Sequence, residues 1–375
     1  IAGILTRNVT KALAVLMVDF SCALKLAMPI SVLSAIREAG QRGITVKGGK
    51  YLEAIAEADT IVFDKTGTLT MAKPTVIKVA AFSDYPEDEA LRIAACLEEH
   101  FPHSMAKAVV DAAKKKRLFH EEMHSKVEYV VAQGIPSAIE GKKVVIGSSH
   151  FVFEDEKCTI RPEYQAQFEA LPPEYSHLYL AVDGVLAAVI CIEDPLRTEA
   201  GDMVQMLRRE GISKIVMMTG DSERTAASVA GRIGVDEYYA EVLPEDKVAF
   251  VEKEKASGRK VIMIGDGIND SPALSAADAG IAISDGAEIA REIADITMAV
   301  DGLREIVVLR QLANELMKKI QTNYRSIVGV NAGLIILGVT GAIRPAVSAL
   351  LHNASTLAIS LKSMEELLPE GRKSF

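Results

Sequence analysis

No tryptophan occurs among the 375 residues, and aromatic side chains make up only 5% of them. That leaves few stacking platforms of the kind single-stranded nucleic acids use. Basic charge is not in excess either. With a formal net charge of -9, the chain lacks the cationic surface that releases counterions from phosphate backbones, so nucleic acid is not an expected partner. Cysteine is scarce and scattered, and Cys22, Cys96, Cys158 and Cys191 form no CxxC pair. Neither a zinc knuckle nor a disulfide framework is expected, and the last three read as reduced thiols. An initial Met and the features of a signal peptide are also missing. Opening on Ile1, the chain reads as a piece that begins inside a longer polypeptide.

What is present is a mixture of apolar and ordinary soluble texture, with a mean hydropathy of +0.18 beside 25% charged residues. Three apolar spans stand out, at 12–35, 327–343 and 346–361. The second and third, joined by Arg344-Pro345, read as a helical hairpin crossing a lipid bilayer. Arg37, Arg42, Lys47 and Lys50 follow the first span, and Lys318, Lys319 and Arg325 precede the second. By the positive-inside tendency, everything between those spans is cytoplasmic. The first span is the odd one, because "DFSCALKLAMP" (19–29) places Asp19, Cys22, Lys25 and Pro29 within three turns. A charge at bilayer depth costs at least about 2.5 kcal/mol, which makes such residues functional by default. They are expected to lie in an unwound, Pro29-broken part of the helix that lines an ion path.

Between the spans, "TIVFD", "AAVICIED", "KIVMMTGD" and "KVIMIGDG" are apolar runs that each lead into an Asp. Near-continuous apolar runs suit strands of a parallel sheet covered on both faces. Helical stretches separate them, so the expectation is a doubly wound α/β domain with an acidic pocket beyond the strand ends. More than a hundred residues of different texture follow the first strand, a helix and then hairpin-like runs, and read as an inserted α+β domain.

The chemistry sits at the strand ends. In "DKTGTLT" (64–70), Asp64 follows a strand directly and a Gly-containing turn offers backbone N–H groups to a phosphoryl group. Such a carboxylate can act as a nucleophile and form an aspartyl phosphate. "TGD" supplies Thr219 and Asp221, "LPEDK" supplies Lys247, and "GDGIND" supplies Asp266 and Asp270 for an oxygen-liking Mg2+. Lysine and metal together answer the demand of phosphoryl transfer for charge stabilisation.

These motifs resemble those of the P-type ATPases, in the heavy-metal-transporting subfamily, whose catalytic domain is haloacid-dehalogenase-like. The resemblance implies ATP and Mg2+ as cofactors and phosphorylation of Asp64. Mg2+ would be held by Asp64, the Thr66 carbonyl and Asp266, with Asn269 and Asp270 in support, and Thr219 and Lys247 would hold the phosphoryl group. Thr66 stands where soluble phosphatases of the superfamily place a second Asp, which implies a persistent phosphoenzyme. The nucleotide-binding pattern is implied at His103, Gly134 and Gly147, although "FPHS" (101–104) departs from Ser-Glu-His-Pro on both sides of the histidine. The usual Cys-Pro-Cys becomes Phe20-Ser21-Cys22, leaving one thiol, so Cys22, His352 and Asp19 are the candidate ligands of a transported divalent transition metal.

The implied plan is an ion-site membrane helix at 1–36, a stalk at 37–58 and a phosphorylation domain at 59–72 and 188–303. A nucleotide-binding domain follows at 73–187, then a stalk helix at 304–326, a membrane hairpin at 327–365 and a cytoplasmic tail at 366–375. A multi-pass protein of a bacterial plasma membrane is expected, whose actuator domain and earlier membrane helices lie outside this chain. The competing readings are a pump for potassium or calcium and a soluble phosphatase.

Overall fold

A computed structural model of the chain describes residues 9–18, 20–71, 73–99, 104–118, 134–139, 141–266, 270–283, 292–299 and 302–368, with only the backbone of Thr10, Lys11, Ala14, Phe20, Ser21, Cys22 and Ser104. Asp19, His103 and Asn269 lie outside the described residues, as does the Cys22 side chain. The chain divides into two units, one comprising 1–57, 298–300 and 305–375 and the other 58–297 and 301–304.

The first unit is mainly helical, with helices Val9–Leu16, Phe20–Gly40, Gly49–Glu57, Arg304–Thr340 and Pro345–Ser363 and a short strand, β1 (Ile44–Val46). Polar side chains tie its long helices together. Asn323 Nδ2 donates to Ser363 Oγ at 2.9 Å, and the Glu38 carboxylate accepts the backbone N–H groups of Leu367 and Leu368. Asn323, Asn331, Ser348 and His352 are all buried, whereas Leu33, Ile336, Leu350 and Leu357 are more than half exposed.

Two expectations are corrected here. Helix Phe20–Gly40 is continuous and carries Pro29 inside it. The interruption falls earlier, at Met17 and Val18, between that helix and Val9–Leu16. Ser31 Oγ, a half-turn beyond the proline, donates to Ala27 O at 2.9 Å. Lys25, on the same helix, is exposed. Second, among the described residues no helix is long and apolar enough to cross a membrane. The expected second and third spans are helical, but their buried faces carry Asn331, Ser348 and His352, which lowers their hydropathy while the outer faces stay apolar.

The second unit holds two sheets. Strands β2 (Thr60–Asp64), β8 (Lys214–Met218), β9 (Glu237–Tyr239), β10 (Val261–Gly265), β11 (Ala279–Ile283) and β12 (Ile296–Met298) are ordered β12-β11-β10-β2-β8-β9 in the first sheet. β2 pairs in parallel with both β10 and β8. Its five residues are all buried, as a strand covered on both faces requires. The other sheet is antiparallel, β3-β7-β6-β5-β4, built from β3 (Thr75–Ala81), β4 (Gly134–Ile139), β5 (Lys142–Gly147), β6 (Ser176–Val182) and β7 (Val185–Glu193). Its faces carry separate cores, one around Leu91, Val109, Ile146 and Ile190 and the other around Phe82, Phe151, Tyr179 and Cys191.

The run "AAVICIED" therefore belongs to the antiparallel sheet, not to the parallel one. The reason is burial: β7 is covered on both faces by those two cores, so its residues show no alternation. A strand buried on both sides reads the same in either kind of sheet.

Gly134 and Gly147 face each other across β4 and β5. A Cβ on Gly134 would lie 2.2 Å from the Phe151 ring and 2.5 Å from Ile146 O. Packing alone thus demands glycine there. Gly134→Ala is expected to destabilise the chain by about 1–3 kcal/mol, the usual cost of overpacking, which a thermal unfolding comparison would read directly.

Candidate active site

Parallel pairing brings the chemical groups to one edge. Asp64 is level with Met218 on β8, and Phe63 is level with Ile264 on β10. Thr219, Gly265 and Asp266 therefore emerge beside Asp64. After it, the chain turns through Lys65–Leu69 with Gly67 in the left-handed region at φ 74°. A Cβ on Gly67 would meet Asp266 at 3.2 Å, so glycine lets this turn approach the Asp266 carboxylate.

Lys247, from the first turns of helix Pro244–Ala256, inserts its ammonium between two carboxylates. It donates to Asp64 Oδ1 and to Asp270 Oδ1, each at 2.6 Å. All three are nearly excluded from water, with Asp64 and Lys247 each 7% exposed and Asp270 1%. Asp64 is nevertheless pushed up from 3.8 to about 7, by burial first and then by the charge of Asp270, against the pull of Lys247. The two carboxylates hold the Lys247 ammonium well above its ordinary range although burial opposes it. One ammonium does not balance both Asp64 and Asp270, and Asp270 Oδ2 and Thr68 Oγ1 are buried without partners. Two carboxylates sharing one ammonium, with the Asp266 carboxylate against Gly67, gather oxygen donors that fit a hard divalent cation such as Mg2+.

A second network adjoins the first. Lys65 forms a buried ion pair with Asp221 and donates to Ser176 Oγ at 3.1 Å, and Ser176 Oγ donates to Asp221 Oδ1 at 2.8 Å. The Thr219 hydroxyl also donates to Asp221. Burial alone would raise Asp221, but Lys65 and these hydrogen bonds hold its carboxyl below the usual range. Farther along the turn, Thr70 Oγ1 accepts the Gly67 N–H at 2.9 Å and donates to Asp194. Arg197 Nε donates to the carbonyls of Thr68 and Thr70.

The expected residues thus form two groups. Asp64, Lys247 and Asp270 meet directly, with Asp266 against Gly67, while Thr219 and Asp221 join Lys65. Sequence reasoning missed Lys65, Thr68, Ser176, Asp194 and Arg197. Asp194 gave a signal, as the acid ending one of the four apolar runs, but its assignment to the wrong sheet hid its role beneath Thr70. Ser176 gave none.

A family model described as haloacid dehalogenase-like hydrolase matches residues 58–278. The chain belongs to the haloacid dehalogenase-like hydrolases. Within that family, the hydrolase fold seen here has relatives in metal-exporting ATPases. It is 37% identical over 97% of its length to a manganese-exporting P-type ATPase of Mycobacterium tuberculosis, covering 51% of that protein. It is also 37% identical over 96% of its length to a zinc-exporting P-type ATPase of Mycobacterium marinum, covering 49% of it. The chain spans about half the length of these curated relatives. Among solved structures, a zinc-transporting PIB-type ATPase in the E2.Pi state matches with a TM-score of 0.66 at 30% identity, over 92% of this chain and 55% of that one. The catalytic domain of a CPx-ATPase, CopB-B, solved in a study of nucleotide binding, matches at 0.60 and 28% identity, over 73% of this chain and 98% of that one.

Proposed function

We propose that the full-length protein is a P-type ATPase that exports a transition-metal cation, using ATP to phosphorylate Asp64. The observation that carries this reading is a buried strand-end carboxylate bridged by Lys247 to Asp270, followed two residues later by Thr66 where a hydrolytic phosphatase would keep an acid. An oxygen of Asp64 attacks the γ-phosphorus, the bond to the bridging oxygen breaks, and ADP leaves. Lys247 offsets charge on the transferred group. Asp64, the Thr66 carbonyl and Asp266 would hold Mg2+, with Asp270 and Asn269 in support. When bound, Mg2+ supplies charge neutralisation along the line of transfer. Thr219 contacts the phosphoryl group, while Asp221 fixes the Thr219 hydroxyl and Lys65.

ATP would bind the antiparallel-sheet portion, with His103, Gly134 and Gly147 at the nucleotide. The helical unit would sit among the other helices of a multi-pass plasma-membrane domain, its polar groups turned inward and its leucines outward. Its domain plan would follow the phosphorylation, nucleotide-binding, stalk and hairpin divisions expected from the sequence.

His352 Nδ1 lies 3.1 Å from Asn331 Oδ1, which can only accept. An Nδ1–H donated to that oxygen would leave the Nε2 lone pair for a cation. Cys22 and Asp19 would complete a mixed sulfur, nitrogen and oxygen set suited to a borderline divalent ion rather than Cu(I). Relatives named for manganese and for zinc are equally similar, so the ion is decided by assay. ATPase activity of the full-length protein should rise with one or two of Zn, Co, Ni, Mn, Fe and Cu. Cys22→Ala and His352→Ala should each lower that stimulation by about tenfold or more, the scale of perturbing a metal site. If no divalent metal raises the rate above background, the transport reading is wrong.

A further inference from the structure

Ser176, at the start of β6, touches the turn after Asp64 from the other sheet. Its hydroxyl accepts a hydrogen bond from Lys65 Nζ at 3.1 Å and donates one to Asp221 Oδ1 at 2.8 Å. With the residue 4% exposed, these bonds stand in for water. Lys65 directly follows Asp64 in the chain, so whatever fixes Lys65 helps to fix the backbone that carries Asp64. Ser176 is level with Ile192 on β7, and two residues past Ile192 the Asp194 carboxylate accepts from Thr70 at the far end of the same turn. One end of the antiparallel sheet therefore grips that turn at both Lys65 and Thr70.

The segment leading into Ser176 is held as well. From the first turn of helix Glu223–Ile233, Arg224 Nη2 donates to Leu171 O at 2.8 Å and Thr225 Oγ1 donates to Tyr175 O at 2.9 Å. A cavity of about 130 Å³ borders Lys65, Thr70, Ser176 and Asp194, so polar bonds rather than close packing set the spacing at this junction. Three residues along β6, Tyr179 is level with Gly147, about 10 Å away by the rise of a strand. A single strand thus runs from Lys65 to the glycine assigned to the nucleotide.

Asp221 also accepts from the Thr219 hydroxyl, at 3.1 Å. A threonine hydroxyl has one proton to donate, so Thr219 cannot donate to a phosphoryl oxygen while it donates to Asp221. When it turns to the phosphoryl group, Asp221 retains Lys65 and Ser176 as donors, and a buried carboxylate left short of donors is costly. We propose that Ser176 is a positioning residue for phosphoryl transfer: its hydroxyl joins the sheet assigned to ATP to the turn that carries Asp64, and it keeps Asp221 satisfied as Thr219 turns to the phosphoryl group. This role rests on the reading of Asp64 as the phosphorylated residue.

The test is single-turnover labelling of the full-length protein with γ-labelled ATP, repeated with labelled acetyl phosphate, which carries no nucleoside. Ser176→Ala should slow labelling of Asp64 by about tenfold or more with either donor, while the ATP concentration giving half the maximal rate changes by less than about twofold. The fraction labelled should stay as in the parent, which separates a slowed step from misfolding. Ser176→Thr keeps the hydroxyl, the adjoining cavity can take its methyl, and most of the rate should return. Slowing with ATP but not with acetyl phosphate, a smaller labelled fraction at an unchanged rate, or no rescue by threonine overturns the role. An unlabelled parent would sink the phosphorylation reading and this role with it, whereas a labelled parent and an unchanged rate in Ser176→Ala sink the role alone.

Discussion

Asp64→Asn is expected to abolish the phosphoenzyme while making the metal-free chain more stable. The loss should be at least about 10³-fold in ATP turnover, since removing a covalent nucleophile costs orders of magnitude, and acid-stable labelling from γ-labelled ATP reads it. The gain in stability follows from the electrostatics of the site. In the folded chain burial and Asp270 push Asp64 up to about 7 from 3.8. A carboxyl whose folded value is raised takes up protons more readily folded than unfolded, so its ionisation destabilises the fold progressively between about pH 4 and 7. Above pH 7 that cost is complete. Asparagine removes it, and the variant should therefore unfold at higher temperature than the parent at pH 8, with the difference shrinking toward pH 4. Mg2+ should narrow the gap at pH 8 by stabilising the parent more. A lower midpoint for Asp64→Asn at pH 8 without Mg2+ would show that the carboxylate is paid for by Lys247 rather than tolerated for function.

The cluster around Asp64 was legible because its groups ride on local signals. Asp64, Asp221 and Asp266 each follow an apolar run at a strand end, and parallel pairing places such ends side by side. Lys247 was legible only within its motif, since 183 residues separate it from Asp64. The Lys65–Ser176–Asp221 network was not legible, because Ser176 begins an antiparallel strand and nothing in the sequence says which loop that strand meets. Hydropathy misassigned β7 for the same physical reason that it overstated the helices. It records how apolar a segment is, but not whether the burial comes from one sheet or another, or whether polar groups such as Asn331 and His352 face inward. Pro29 misled in the opposite direction: a proline motif suggested a broken helix, and the structure carries the helix through it.

The second large effect is expected at Lys247. Replacing it by Met leaves Asp64 and Asp270 buried and facing each other with no ammonium between them, and Asp270 is 1% exposed. Breaking a buried ion pair from one side costs about 3–5 kcal/mol, because the remaining charge keeps its desolvation penalty. The urea midpoint at pH 8 should fall accordingly, and phosphorylation of Asp64 should fall with it. Acidification should restore part of the lost stability, since a proton shared between the carboxylates does what the ammonium did. The decisive comparison is the double variant Lys247→Met/Asp64→Asn. If the loss arises from repulsion between two uncompensated carboxylates, neutralising one of them should recover stability well beyond the gain that Asp64→Asn gives alone. If the effects merely add, the loss comes from altered packing around position 247, and the charge account of this site fails. Lys247→Arg separates the cases further, because it keeps the charge but replaces a compact ammonium by a planar fork. It should retain most of the stability and little of the phosphorylation, because a buried point charge can be substituted for folding while the transferred phosphoryl group demands its position.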